Sequence, residues 1–420
     1  MRFYRFLTDI GASAISFYLQ RRLAHGREDA ARFAERLGQA AHARPKGKLI
    51  WCHAASVGEA MSVLSLIKIL REQYPDQNLL LTTGTVTSSR LLATRLPAGV
   101  IHQYIPVDRW PYVTQFLDHW KPDLALWVES ELWPNILAAM QERTIPAVLL
   151  NGRMSEKSFR QWSWVKGWIA KLLSVFQLGL AQTEADRERF AALGLKNTKY
   201  IGNLKYAAEP LAYDDAALTE LKTTTNGRHI WLMASTHKGE DEIAMQAHQK
   251  LRERWPDLLT VIVPRHPTRG EAITEIAMSQ QITCALRSEQ KSIATDIGVY
   301  VADTMGELGL FYRLCPVVCL GGSFVWGGHN PVEPARLGSA MIFGPRMTNF
   351  TEIAEELVRE DAAVQIQKPE LLAEALGGLL ENPTAAKALA IVARGIAEKK
   401  QRVLQDTLQI LKPYIEGKKK

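Results

Sequence analysis

Several segments of this chain place acidic residues directly after apolar, strand-like runs. The stretch WCHAASVGEA (51–60) brings His53, Ser56, Gly58 and Glu59 to the exit of such a run. A helix N-terminus stabilises a carboxylate, so Glu59 reads either as an ordinary first-turn acid or as a positioned general base. WVESELWPN (127–135) sets Glu129 and Glu131 two residues apart, ahead of Trp133 and Pro134. Such pairs are common in solvated loops. The apolar flanks here also allow burial, and burial or a neighbouring carboxylate raises a carboxyl pKa toward the range a general base needs. ADTMGELGLFY (302–312) repeats the theme with Met305, Gly306 and Glu307.

The later segments are basic or glycine-rich. ASTHKGEDE (234–242) offers Ser235 and Thr236 for capping or phosphate contact, followed by His237 and Lys238. VPRHPTR (263–269) brings Arg265, His266 and Arg269, which read as solvated surface or as anion contacts. GGSFVWGGHNPVEPA (321–335) holds four glycines with His329, Asn330, Pro331, Val332 and Glu333; glycines let backbone amides approach a ligand closely. Neither the dinucleotide fingerprint GxGxxG nor the phosphate loop GxxxxGK[ST] occurs, so hydride transfer and ATP hydrolysis lose most of their support. The second half therefore reads as a nucleotide-phosphate cradle, and the first as the place of an acceptor and its base.

These residues need strands to carry them. Apolar runs at 49–53, 78–82, 124–127, 147–150 and 178–182 read as buried parallel strands, with helices at 61–74, 134–142 and 184–193 between them. The pattern restarts with strands at 230–234, 259–263, 299–302, 317–320 and 340–343 and helices at 241–254 and around 348–358. Alternation of this kind predicts an α/β protein of two doubly wound, Rossmann-like domains facing a cleft, with ligands beyond the carboxyl ends of the strands. The expected division is an N-terminal segment 1–25, an acceptor-binding domain 26–203 and a donor-binding domain 204–420. Its join lies in YIGNLKY (200–206), its final helix spans about 385–411 and packs back on the first domain, and a short basic tail stands at 418–420.

A length of 420 residues suits two domains, and 47% hydrophobic with 23% charged residues is ordinary globular composition. A net charge of +7 implies an anionic partner. The basic residues are dispersed and no nucleic-acid motif is present, so no nucleic acid is expected. Cys52, Cys284, Cys315 and Cys319 lack metal-ligand spacing, which predicts no metal site and a reducing compartment. Near the N-terminus, aromatic residues (Phe3, Tyr4, Phe6, Phe17, Tyr18) and arginines (Arg2, Arg5, Arg21, Arg22) bracket an apolar centre too short for a confident span. That pattern fits a helix on an anionic leaflet, or one packed on its own domain. The run FRQWSWVKGWIAK (159–171) likewise either holds acyl chains or headgroups or turns its tryptophans inward.

In its motifs the chain resembles the 3-deoxy-D-manno-octulosonic acid (Kdo) transferases. The matching segments are SVGE (56–59), ESELWPN (129–135), ASTHKGE (234–240), VPRHP (263–267), DTMGEL (303–308), GGHNPVEPA (327–335) and GP…NF (344–350). The resemblance implies the B-type glycosyltransferase fold (GT-B) and transfer of Kdo from CMP-Kdo to a tetraacylated lipid A precursor. It also implies work at the cytoplasmic side of the inner membrane, without metal or resident cofactor. By position, Glu59 resembles the family's general base and Glu129 a supporting acid, with Ser56, Gly58 and Glu131 on the acceptor. Arg265, His266, Met305, Gly306, Glu307 and the segment from Asn330 through Pro331 and Val332 to Glu333 resemble CMP-binding residues, with Ser235, Thr236 and Lys205 as added phosphate contacts. The rivals are a B-type transferase or epimerase with another nucleotide sugar, and a non-catalytic membrane-surface binding protein. Trp326 stands where variable residues are expected.

Overall fold

The computed structural model describes residues 2–129, 131–207, 211–289 and 293–417, so the basic tail at 418–420 lies outside it. The first sheet contains β1 (Leu49–His53), β2 (Asn78–Thr83), β3 (Val100–Tyr104), β4 (Leu124–Val128), β5 (Ala147–Gly152), β6 (Phe176–Ala181) and β7 (Thr198–Tyr200). They lie parallel in the order β3-β2-β1-β4-β5-β6-β7. Near-continuous apolar strands are what a sheet covered on both faces requires. Along β1, Leu49 and Trp51 enter one core with Phe116, Trp120 and Trp127, whereas Ile50 and Cys52 enter the other with Val63, Ile67 and Leu126. Burying one such large side chain contributes about 2–3 kcal/mol.

The second sheet repeats the plan with β8 (Ile230–Thr236), β9 (Leu259–Pro264), β10 (Cys284–Leu286), β11 (Val299–Val301), β12 (Val317–Leu320), β13 (Ala340–Phe343) and β14 (Val364–Gln365). Its parallel order is β10-β11-β9-β8-β12-β13-β14. Trp231 and Met233 of β8 and Cys319 of β12 anchor a core there. Both sheets reverse strand order beside their first strand, at β1/β4 and at β8/β12, and such switch points open the crevices where α/β proteins bind ligands.

Two compact units emerge, Met1–Ala208 with Lys400–Lys420, and Glu209–Lys399. The first therefore extends past the division expected at 203/204 and takes in the end of the helix Pro383–Glu416. Val403, Leu404, Leu411 and Ile415 join the first unit's core. Gly202, at φ +97, lies so close to Val403 that an added Cβ would meet Cγ2 at 2.8 Å. Four strands were not read from the sequence. In β3, the polar pair His102-Gln103 interrupts the apolar pattern, yet Trp120 Nε1 donates to Gln103 Oε1 (2.8 Å) and His102 Nε2 meets Thr83 Oγ1 (2.9 Å). The strands β7, β10 and β14 are two or three residues long, too short to carry a period.

Candidate active site

At the β1 exit, Ser56 caps the helix Val57–Gln73 and its Oγ accepts from Glu59 N (3.3 Å). Glu59 turns back to close a capping box, with Oε1 accepting from Ser56 Oγ (2.9 Å) and Oε2 from the Ala55 amide (2.8 Å). The carboxylate is buried, 7% exposed. Burial pushes its pKa up to about 7; the Ala55 amide pulls the other way, while Glu129 and Glu131 add to the rise. Gly58 is exposed, and a Cβ there would meet nothing nearer than Ser56 Oγ at 4.0 Å.

Across the switch point, at the β4 exit, Glu129 stands in the left-handed region at φ 59, a conformation that costs a non-glycine residue on the order of 1–3 kcal/mol. Its amide donates to Leu150 O (2.9 Å) and its Oε1 pairs with Lys205 Nζ at 2.8 Å. Lys205 thus belongs to the first unit and to this carboxylate, rather than to the donor domain in which the sequence reading put it. Residues the sequence reading passed over hold it there. Asn151 (φ 52) accepts from Leu204 N at 2.9 Å, Asn203 Oδ1 accepts from Lys205 N at 3.0 Å, and Gln182 links Asn151 O to Asn203. The Asn-Gly pair that ends β5, at 151–152, was the available signal.

Glu131 is held by two indoles: Trp133 Nε1 donates to its Oε2 (2.6 Å) and Trp127 Nε1 to its carbonyl (2.7 Å). His53 is fully buried, with its ring centroid 4.4 Å from that of Trp127 and 5.6 Å from that of Trp133. Its Nδ1 meets Thr82 Oγ1 at 3.0 Å, and burial drives its pKa down to about 3. A neutral imidazole there packs the floor of the site.

In the second unit the β8 and β12 exits are bound together. Ser235 sits at φ 60, and the Thr236 carbonyl accepts from Arg265 N (3.0 Å) and Arg269 Nη1 (3.0 Å). Arg269 also pairs with buried Asp241. Glu240, fully buried, accepts from His237 N (2.9 Å) on one loop and from Gly322 N (2.6 Å) and Phe324 N (3.2 Å) on the other. Gly328, at φ +80, stands where a Cβ would strike Met347 Sδ. Asn330 Oδ1 accepts from Val332 N (3.0 Å) and its amide donates to Glu333 Oε1 (3.3 Å). Pro331 and Val332 are buried beneath this turn. Burial raises the Glu333 pKa, opposed by Asn330 and Arg265.

Arg265 and His266 are exposed, as are Met305 and Gly306, the latter at φ +87 with open space around it. Glu307 is already committed: Arg287 grips it through Nη2 (2.8 Å) and Nε (3.2 Å), and Thr304 Oγ1 donates to it. Burial alone would raise its pKa, but the Arg287 and Thr304 hydrogen bonds hold it below the usual carboxylate range.

The N-terminal segment forms two helices, Arg2–Ile10 and Ala12–Ala24. Polar residues of the first face its own unit. Arg5 lies over the Trp110 ring and pairs with Glu142 (2.9 Å), Asn135 Nδ2 donates to Thr8 Oγ1 (3.2 Å), and Tyr4 hydrogen-bonds Asp108. Phe3, Phe6, Leu7 and Ile10 are exposed, and so are Phe17 and Tyr18. Among the described residues no helix is long and apolar enough to cross a membrane. The run 159–171 divides: Trp162 stacks on Trp168 (5.8 Å) against the core, while Trp164 is 90% exposed.

Two parallel, doubly wound units with polar loops at their switch points define the GT-B class of α/β fold. A UDP-GlcNAc 2-epimerase from Neisseria meningitidis, solved with UDP-GlcNAc, shares that fold at a TM-score of 0.57 and 14% identity, over 86% of this chain and 99% of its own. Residues 31–208 match the family described as 3-deoxy-D-manno-octulosonic-acid transferase (kdotransferase). A 3-deoxy-D-manno-octulosonic acid transferase of Rickettsia bellii is 34% identical over 418 residues, 99% of each chain. That of Haemophilus influenzae is 32% identical over 394 residues, 92% of each. The chain belongs to the Kdo transferases, glycosyltransferases of lipopolysaccharide biosynthesis.

Proposed function

We propose that this chain moves Kdo from CMP-Kdo to a sugar hydroxyl of the tetraacylated lipid A precursor, with inversion at the anomeric carbon and Glu59 as general base. One observation carries the proposal: Glu59 is buried, aimed by two hydrogen bonds and pushed up to about 7. A base with that pKa takes a hydroxyl proton well at neutral pH. As the hydroxyl oxygen bonds to the anomeric carbon, its proton passes to Glu59. The bond from that carbon to the phosphate oxygen breaks, and its electron pair leaves with CMP. A single base opposite the leaving group gives inversion.

In this reading Glu129, with its Lys205 counter-charge, fixes the field around Glu59, and Ser56, Gly58 and Glu131 border the acceptor. In the second unit Arg265, His266, Met305, Gly306, Asn330–Glu333, Ser235 and Thr236 hold CMP. Glu307 serves by bracing that loop through Arg287. Arg265 makes no ion pair among the described residues and is available to stabilise the departing phosphate. No step is assigned to a metal or cofactor. Work at the cytoplasmic face of the inner membrane is supported by the outward apolar side of the helix Arg2–Ile10 and by Trp164.

The test is purified protein with CMP-Kdo, the tetraacylated precursor and EDTA, with mass spectrometry of the lipid. A gain of Kdo mass is expected. No gain beside an active control enzyme, with transfer from a different nucleotide sugar, would overturn the donor and support the rival transferase.

A further inference from the structure

At the second unit's switch point three aromatic rings form one pile that joins the loops after β8 and β12. His237 and His329 lie parallel, with centroids 5.2 Å apart and planes within 5°, and their Nε2 atoms meet at 3.1 Å. Trp326 stacks on His237 at 5.4 Å and on His329 at 6.0 Å. Yet Trp326 remains 63% exposed. A large indole held by two imidazoles and still open to water presents a flat, fixed apolar face. Its surroundings keep it in place: Gly322, at φ +69, lets His329 approach so that a Cβ would lie 3.2 Å from its ring, and Glu240 clamps the amides of both loops. An Nε2-to-Nε2 hydrogen bond requires one protonated nitrogen and one bare one; His329 already donates to the Ser235 carbonyl, so His237 is the donor across the pair and the two rings are fixed in place. Cationic Arg265 acts on both imidazoles, and Arg269 and His266 act on His237.

Resting on the family reading above, we infer that the Trp326–His237–His329 pile is the subsite for the transferred acidic sugar. The open indole face takes the sugar ring, the imidazole pair holds the indole in place, and exposed Arg265 beside them takes the carboxylate. An aromatic face suits the C–H side of a sugar ring, and a guanidinium matches a carboxylate in shape and charge. Phosphate is the other anion of the donor, and the two are separable because CMP carries only the phosphate.

The experiment measures KM for CMP-Kdo and the competitive inhibition constant of CMP in the same transfer assay, for wild type, Trp326→Ala, Trp326→Phe and His237→Ala. The expected result is a KM for CMP-Kdo raised about tenfold or more by Trp326→Ala and His237→Ala, with the CMP constant within about twofold, and most of the loss restored in Trp326→Phe. An equal rise in both constants would place the pile on the nucleotide and overturn the inference. So would unchanged constants. A wild type that binds CMP but transfers nothing from CMP-Kdo would bring down the family reading and this subsite together, a pattern distinct from failure of the variants alone.

Discussion

The two units put a Gly-Glu pair at the same place, the helix that follows the first strand, and use it differently. In the first unit Glu59 is buried with one amide and one hydroxyl for partners and two acidic neighbours; burial first, and those neighbours after it, push its pKa up to about 7 against the two hydrogen bonds. In the second, Glu240 receives three backbone amides from two loops and works as a clasp. A third pair, Gly306-Glu307, ends in the grip of Arg287. The difference lies in the partners: a carboxylate left short of donors is suited to take a proton, whereas a saturated one holds backbone.

Glu59→Gln should break the comparison most sharply. Loss of a general base costs about 10²–10⁴ in kcat, while the CMP inhibition constant, set in the other unit, should stay unchanged; steady-state kinetics checks both. Glu240→Ala strands three buried N–H groups and should destabilise the second unit by about 3 kcal/mol or more, seen as a lower urea midpoint with weakened CMP inhibition. Glu240→Gln should recover part of each.

Stability should move the other way at Glu59. Its folded pKa lies above the ordinary 4.5, so its favourable contribution is complete below about 4.5 and is lost as pH rises through about 7. Glu59→Gln should therefore gain stability at pH 8 relative to pH 5, by up to about 3 kcal/mol, read from urea midpoints at the two pH values. The smallest effects concern the ion pair. Lys205→Met leaves Glu129 uncompensated and should shift the acid limb of activity to higher pH, whereas Glu129→Gln should shift it lower, each by less than about one unit. Opposite shifts would sharpen the reading; shifts of one sign would break it.

Much of the fold was legible because buried parallel strands are apolar throughout: β1, β12 and β13 were read to both ends, and the restart of the pattern marked the second sheet. The β3 strand was hidden because its polar residues meet partners distant in sequence, among them Trp120, Thr83 and Arg32. The site was legible as a set of strand exits, since polar residues after apolar runs show in one dimension. Which carboxylate is saturated did not show. YIGNLKY does not by itself announce that Lys205 meets Glu129, because its Asn203 and Leu204 are held by Gln182 and Asn151 on two other segments. The ring pile of His237, Trp326 and His329 was equally hidden, as His237 lies 92 positions from His329.

The most direct measurement is the pH profile of kcat/KM for Kdo transfer, taken for wild type and Glu59→Gln on the same lipid acceptor. An acid limb with an apparent pKa near 7 in the wild type, absent from a much slower variant, is the expected result. A wild-type profile flat from about pH 5 to 8, or a Glu59→Gln variant at wild-type rate, would contradict Glu59 as the base.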